Sequence, residues 1–151
     1  MKVDIIAVGR LKTGPLKDLY DIYAKRLRWP LVVYEIDVRM KEDAARQKEE
    51  TERILEKIDH QAYCVVLDER GNGLKSMDFA RTLAKLQDTG SQNVQFVIGG
   101  ADGLGHDVLD KASFTLSFGQ QTWPHMLARV MLLEQIYRAQ QILDGHPYHR
   151  E

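Results

Sequence analysis

Short, β-branched apolar runs alternate along this chain with stretches in which apolar residues recur every three or four positions. Residues 3–8 form an apolar run closed by Gly9 and read as a buried strand. Gly14-Pro15 follows, with Pro15 suited to the first turn of a helix. Leu16, Leu19, Tyr20, Tyr23 and Leu27 then share one face, so the spacing predicts an amphipathic helix over 15–28, ended by Trp29-Pro30. Further strands are expected over 31–38, 62–67, 94–98 and 114–118. Residues 41–58 read as a solvated, highly charged helix anchored by Ile54, Leu55 and Ile58. A helix capped by Ser76 is expected to run to Thr89, with Phe79, Ala80, Leu83 and Leu86 inward.

The last predicted helix, 124–143, is apolar on two faces: Leu127, Val130 and Met131 on one, and Leu132, Leu133, Ile136, Ala139 and Leu143 on the other. Such a helix is usually buried on both, here against the sheet and against a partner subunit. Gly145 ends it, and an irregular tail follows. Strands alternating with helices define an α/β fold with a mainly parallel sheet covered on both faces. In such a sheet ligands bind beyond the carboxyl ends of the strands. The segments after Leu67, Ile98 and Phe118 are therefore the candidate site.

Composition narrows the class. A chain of 151 residues suits one domain with a sizeable core, and 44% hydrophobic with 28% charged residues is a globular balance. The net charge of −1 argues against indiscriminate polyanion binding. That total conceals a basic amino-terminal segment: residues 1–30 hold seven basic side chains, Arg10 and Lys12 among them, against three acidic ones. A local patch of this kind leaves room for one specific RNA target. Cys64 is the only cysteine, so no intrachain disulfide forms, and it reads as a core residue. No secretion signal and no run near the ~18 apolar residues of a membrane span are visible, so a cytoplasmic location is expected.

Several familiar motifs fail. Gly9 to Gly14 has phosphate-loop spacing, but Pro15-Leu16 stands where Lys and Ser/Thr are required. Gly103-Leu104-Gly105 lacks the third glycine of a dinucleotide fingerprint, having Val108 in its place. His146 and His149 have no further ligands, so no metal site is expected. Gly99-Gly100 after an apolar strand serves either close ligand approach or an ordinary turn. In the polar loop 118–125, backbone amides suit a small ligand's polar edge, and Trp123 either flanks a flat ring or packs in the core. Glu134 and Arg138 read as a structural i,i+4 pair. Tyr148-His149-Arg150 either frays or stacks on a base and grips a phosphate.

Taken together, these segments resemble a known family. Val65-Val66-Leu67-Asp68, the turn Val97-Ile98-Gly99-Gly100-Ala101-Asp102-Gly103-Leu104, and Leu116-Ser117-Phe118 with Thr122-Trp123-Pro124-His125 occur in the expected order. So do Leu127-Ala128-Arg129-Val130, Glu134-Gln135-Ile136-Tyr137-Arg138-Ala139 and the tail His146-Pro147-Tyr148-His149-Arg150. The whole chain is similar to the SPOUT-class methyltransferases that act on N3 of a pseudouridine in bacterial 23S ribosomal RNA. The resemblance implies a deep trefoil knot, an exception to the usual absence of knots. It also implies a homodimer, S-adenosylmethionine as methyl donor, and modification of assembled ribosomes. It puts the cofactor against Leu67, Gly99 and the loop Phe118, Gly119, Gln120, Gln121, Thr122 and Trp123.

It further makes Tyr148, His149 and Arg150 substrate-side candidates across the dimer interface, with Arg10 and Lys12 as further RNA contacts. The implied chemistry is orientation and desolvation, since the cofactor carries the reactive group. His149 or a water would accept the N3 proton, and Arg150 or Arg129 would stabilise negative charge on the base. The competing expectation is a non-catalytic ribosome- or RNA-binding protein of the same fold, which would not bind S-adenosylmethionine tightly.

Overall fold

The computed structural model describes residues 1–150. The elements in chain order are β1 (Lys2–Val8), α1 (Pro15–Arg26), β2 (Leu31–Ile36), α2 (Asp43–Lys57), β3 (Tyr63–Gly73), α3 (Ser76–Asp88), β4 (Asn93–Ile98), α4 (His106–Leu109), β5 (Phe114–Ser117) and α5 (His125–Leu143). The strands form one sheet in the order β2-β1-β4-β3-β5, and every strand pairing is parallel. The alternation of helical and extended segments read from the sequence is thus realised as a parallel sheet.

Period-two side-chain alternation splits the core into two layers. Val3, Ile5, Ala7, Val65, Val94, Phe96 and Ile98 point to one face, where α1, α3 and α5 cover them with Tyr20, Phe79, Leu83, Leu133 and Ile136. Ile6, Val8, Ile36, Cys64, Val66 and Val97 point to the other, beneath Ile54 of α2 and Val108 of α4. The charged helix α2 therefore has one apolar stripe and a solvated remainder, and its first turn is capped by Glu42, which accepts from the Ala44 and Ala45 N–H groups.

Three local expectations change. Ser76 is the first residue of α3 and not its cap; its hydroxyl donates to Gln135 Oε1 of α5 at 2.8 Å, so the side chain is spent on a tertiary contact. α4 has four residues, too few to show a period in the sequence. β3 runs to Gly73, beyond the expected end at Leu67. Leu67 and Asn72 both pair with Leu116, so residues 68–71 bulge out of the ladder. Gly71 permits this, because a Cβ there would stand 2.7 Å from the Thr115 carbonyl oxygen.

α5 lies against α1, α3 and the sheet, and nine of its side chains are buried. Its carboxyl end closes at Gly145, which has φ of 71° and lets the His146 N–H reach the Gln141 carbonyl. No helix among the described residues is long and apolar enough to cross a membrane.

Candidate cofactor cleft and tail

The carboxyl ends of β3, β4 and β5 open into one cleft of about 760 Å³. Leu67 and the bulge Asp68, Glu69 and Arg70 form one wall. Gly99 to Leu104 form the second, and Phe118, Gly119 and Gln121 to His125 the third. Of the residues expected to hold a cofactor, Leu67, Gly99, Phe118, Gly119, Gln121, Thr122 and Trp123 meet here; Gln120 belongs to the same loop but does not line the cleft.

The third wall carries unspent donors. The Trp123 indole N–H donates to the Phe118 carbonyl at 3.2 Å, and the Gly119 N–H to Ser117 Oγ at 3.1 Å, which fixes the loop's shape. Among the described residues, the backbone N–H groups of Gln120, Gln121, Thr122 and Trp123 make no hydrogen bond to a backbone carbonyl. Trp123 is 40% exposed on the cleft rim, so it is not a core side chain. Free amides beside apolar surfaces from Leu67, Phe118, Pro124 and Trp123 fit the edge and faces of a flat heterocycle.

In the second wall, Gly99 serves the turn, one of the two roles the sequence left open. A Cβ on Gly99 would lie 2.9 Å from the Gly103 carbonyl carbon and 2.9 Å from Leu104 Cγ. The glycine thus permits the turn to fold back on itself, and does not itself leave space for a ligand. Gly103 takes φ of 75°, and its N–H donates to the Gly100 carbonyl. Outside the cleft, Arg46 of α2 reaches this turn: Nη2 lies 3.0 Å from Asp102 Oδ2. Asp102 is on the cleft wall, so the charged helix that carried no expectation of function buttresses the site.

Charge on the wall is mostly acidic. Asp68, Glu69 and Asp102 face one Arg70, a balance suited to a cationic ligand. Hydrogen bonding from Arg70 holds the Asp68 carboxyl below the usual range. His125 completes the wall, and burial together with the nearby Arg129 charge pushes its pKa below the ordinary value. No group of three or more His, Cys, Asp or Glu side chains able to hold a metal occurs among the described residues.

The other expected residues lie elsewhere. Arg10 and Lys12 are exposed on the loop after β1, which Gly9 brings against α5: a Cβ on Gly9 would stand 2.8 Å from Met126 Cε and 3.5 Å from His125 Nε2. Arg129 is 1% exposed and does not line the cleft. Its guanidinium donates to Glu35 and to the carbonyls of Val8 and Gly9.

The tail does not fray. Tyr148 stacks its ring under Arg138 at 4.8 Å, meets Tyr137 edge-on at 4.9 Å, and donates its hydroxyl to Glu134 Oε1 at 3.1 Å. Burial, with the Tyr23 and Glu134 contacts, pushes the Tyr148 phenol well above its ordinary pKa. His149 Nδ1 lies 3.2 Å from Arg138 Nη1, and since a guanidinium only donates, that nitrogen accepts. Arg150 is exposed. Arg138 is ten residues beyond Ala128, the last cleft residue on α5, which is about 15 Å along the axis. Within one protomer, Tyr148, His149 and Arg150 are therefore not assembled with the cleft. Glu134 and Arg138, which pair at 2.7 Å as the sequence spacing suggested, are also the tail's anchor.

A parallel α/β sheet with a cleft at its carboxyl edge is the architecture of an α/β protein in which small ligands bind beyond the strand ends. Residues 1–149 match the family described as "Predicted SPOUT methyltransferase". The chain is 49% identical over 151 residues to the ribosomal RNA large subunit methyltransferase H of Rhodospirillum centenum, and 46% identical to that of Paramagnetospirillum magneticum, with 99% of each chain covered in both cases. Among solved structures, the ribosomal RNA small subunit methyltransferase E of Neisseria gonorrhoeae bound to S-adenosyl methionine superposes with a TM-score of 0.54 at 11% identity, over 95% of this chain and 66% of that one. The chain belongs to the SPOUT methyltransferase family.

Proposed function

We propose that the protein is an S-adenosylmethionine-dependent methyltransferase acting on N3 of a pseudouridine in 23S ribosomal RNA, on assembled ribosomes in the cytoplasm. The observation that carries the reading is the cleft, in which free loop amides, apolar walls and an acidic lining converge at three strand ends. The full-length relatives bear the name of a large-subunit ribosomal RNA methyltransferase, and a protein of the same fold is known with S-adenosyl methionine bound.

The residues present fit that cofactor. The amides of Gln121 to Trp123 would hold the purine edge, and Leu67, Phe118 and Trp123 would flank its faces. The carboxylates of Asp68, Glu69 and Asp102 favour a cation. Bound there, the cofactor supplies an electrophilic methyl group on a sulfonium. Gly99 and Gly103 keep the second wall folded back, and Arg129 acts as a positioning residue beneath the β1 loop. Arg10 and Lys12, exposed on the loop after β1, are suited to phosphate contacts.

The active unit in this proposal is a homodimer with a trefoil-knotted carboxyl-terminal segment. Its support is an apolar cavity of about 650 Å³ lined by Leu19 and Tyr23 of α1, Phe79 of α3 and Leu127 and Met131 of α5, bordered by exposed Leu19 and Ile22. A surface of this kind marks an interface. Dimerisation would carry the partner's Tyr148, His149 and Arg150 toward the cleft, where an aromatic and a guanidinium suit an unstacked base and its phosphate.

Two measurements test the reading. Calorimetry is expected to show S-adenosylmethionine binding to the isolated protein. Mass spectrometry of 23S ribosomal RNA from cells with and without the gene is expected to show one methyl lost from a pseudouridine. Identical spectra would sink the proposal.

A further inference from the structure

We propose that His125 is the general base that removes the N3 proton during methyl transfer, an assignment that rests on the function proposed above. Five titratable side chains line the cleft: Asp68, Glu69, Arg70, Asp102 and His125. Four of them are committed. Asp68 and Arg70 hold each other at 3.0 Å, Glu69 accepts from the Thr122 hydroxyl at 3.4 Å, and Asp102 is held by Arg46 at 3.0 Å.

His125 is different. It is the first residue of α5, so its side chain stands at the mouth where α5 begins, and Gly9 seats the β1 loop against its Nε2 edge. The imidazole therefore stands between the cleft, which would hold the methyl donor, and the Arg10–Lys12 loop, which is suited to RNA. Arg129 on α5 acts on it and is itself paired with Glu35 of β2, Arg10 lies on the β1 loop beside it, and Asp68, Glu69, Arg70 and Asp102 share the cleft lining. Burial and Arg129 lower the ring's pKa from its ordinary value, which favours the neutral imidazole with one nitrogen able to accept. His149, the residue that tail composition suggests, has its Nδ1 occupied by Arg138, and Nε2 is buried without a partner.

The step balances. The N3–H bond breaks and its proton goes to the free imidazole nitrogen. The N3–carbon bond forms while the carbon–sulfur bond breaks, the electron pair remaining on sulfur. The imidazolium then returns its proton to solvent.

The test uses full-length protein, S-adenosylmethionine at saturation, and ribosomes purified from cells lacking the gene. His125→Gln and His125→Ala are expected to lower the single-turnover rate at neutral pH by about 10²- to 10³-fold. Their S-adenosylmethionine affinity, measured by calorimetry, is expected to stay near the wild-type value, which also reports folding. The deficit should shrink as pH rises, because N3 then loses its proton without help, and the wild-type rate should fall only at acid pH as His125 protonates. A variant of full rate, or a deficit that is constant with pH, overturns the assignment while wild-type activity preserves the proposed function. Wild-type protein that leaves these ribosomes unmethylated overturns both.

Discussion

Arg129 Nη1 lies 2.7 Å from Glu35 Oε2, and the same carboxylate oxygen accepts the Leu11 N–H at 2.7 Å. One carboxylate thus ties the first turns of α5 to the loop carrying Arg10 and Lys12. Arg129 is buried and Glu35 exposed, so removing the acid strands a guanidinium in the interior. Glu35→Ala is expected to cost about 2 kcal/mol, less than a fully buried pair because Glu35 retains solvent contact. Urea unfolding checks it, and an unchanged midpoint would refute it.

The pair also predicts a pH dependence. Burial raises the Glu35 pKa, but the Leu11 N–H and Arg129 outweigh it and hold the folded value below 4.5. A depressed carboxylate stabilises the fold fully above its unfolded pKa and loses that contribution as pH falls through the folded one. The wild-type protein should therefore lose stability below about pH 4.5 more steeply than Glu35→Gln. Parallel acid limbs for the two proteins would contradict this.

Gly99→Ala is expected to push the Gly103-Leu104 segment aside, since backbone at 2.9 Å cannot yield as a flexible side chain would. Overpacking of this kind costs about 1–3 kcal/mol. The affinity for S-adenosylmethionine should fall with it, because the displaced segment is a cleft wall. Calorimetry showing wild-type affinity would remove the second wall from the site.

Arg46→Ala should loosen the same turn from the other side. The Asp102 pair is solvent-exposed, so its contribution is small and the KM for S-adenosylmethionine should rise up to about fivefold. The single-turnover rate at saturation should not change, and Arg46→Lys should recover part of the loss. A fall in that rate with an unchanged KM would count against a buttress.

Tyr148→Ala removes the ring under Arg138 and the donor to Glu134. Hydrogen exchange at residues 146–150 is expected to quicken. If the tail grips substrate, methyl transfer should fall about 10²-fold, the scale of losses from misplaced contacts. Unchanged exchange would mean that the observed docking is not what orders the tail.

Cys64 should resist thiol reagents in the native protein. Burial pushes its pKa up to about 11, and it faces Val66 and Val97 under α2 and α4. Reaction at the native-state rate of a free thiol would place the residue at the surface.

Local chemistry made most of the fold legible. Residues 3–8 and 94–98 are apolar but for Asp4 and Gln95, which reads as strand, and they form β1 and β4, neighbours within the parallel sheet. The two-faced pattern of 124–143 announced a helix, which packs against α1, α3 and the sheet, and Gly145 announced its end. The strand-end rule points to the segments after Leu67, Ile98 and Phe118, and these three residues line one cleft. These readings depend on neighbours a few residues apart, which periodicity records.

Contacts between distant segments had no such record. That 68–71 bulges from β3 follows from how Leu116 pairs with both Leu67 and Asn72. That Ser76 bonds Gln135 and that Arg46 holds Asp102 are matters of packing across more than fifty residues. Arg129 and His125 are four residues apart on one helix, yet one is sealed beneath the β1 carbonyls and the other lines the cleft. Composition gives both as polar residues of α5; only the position of β1 against the helix separates their roles, because burial and partner distance set what a charged or titratable group can do.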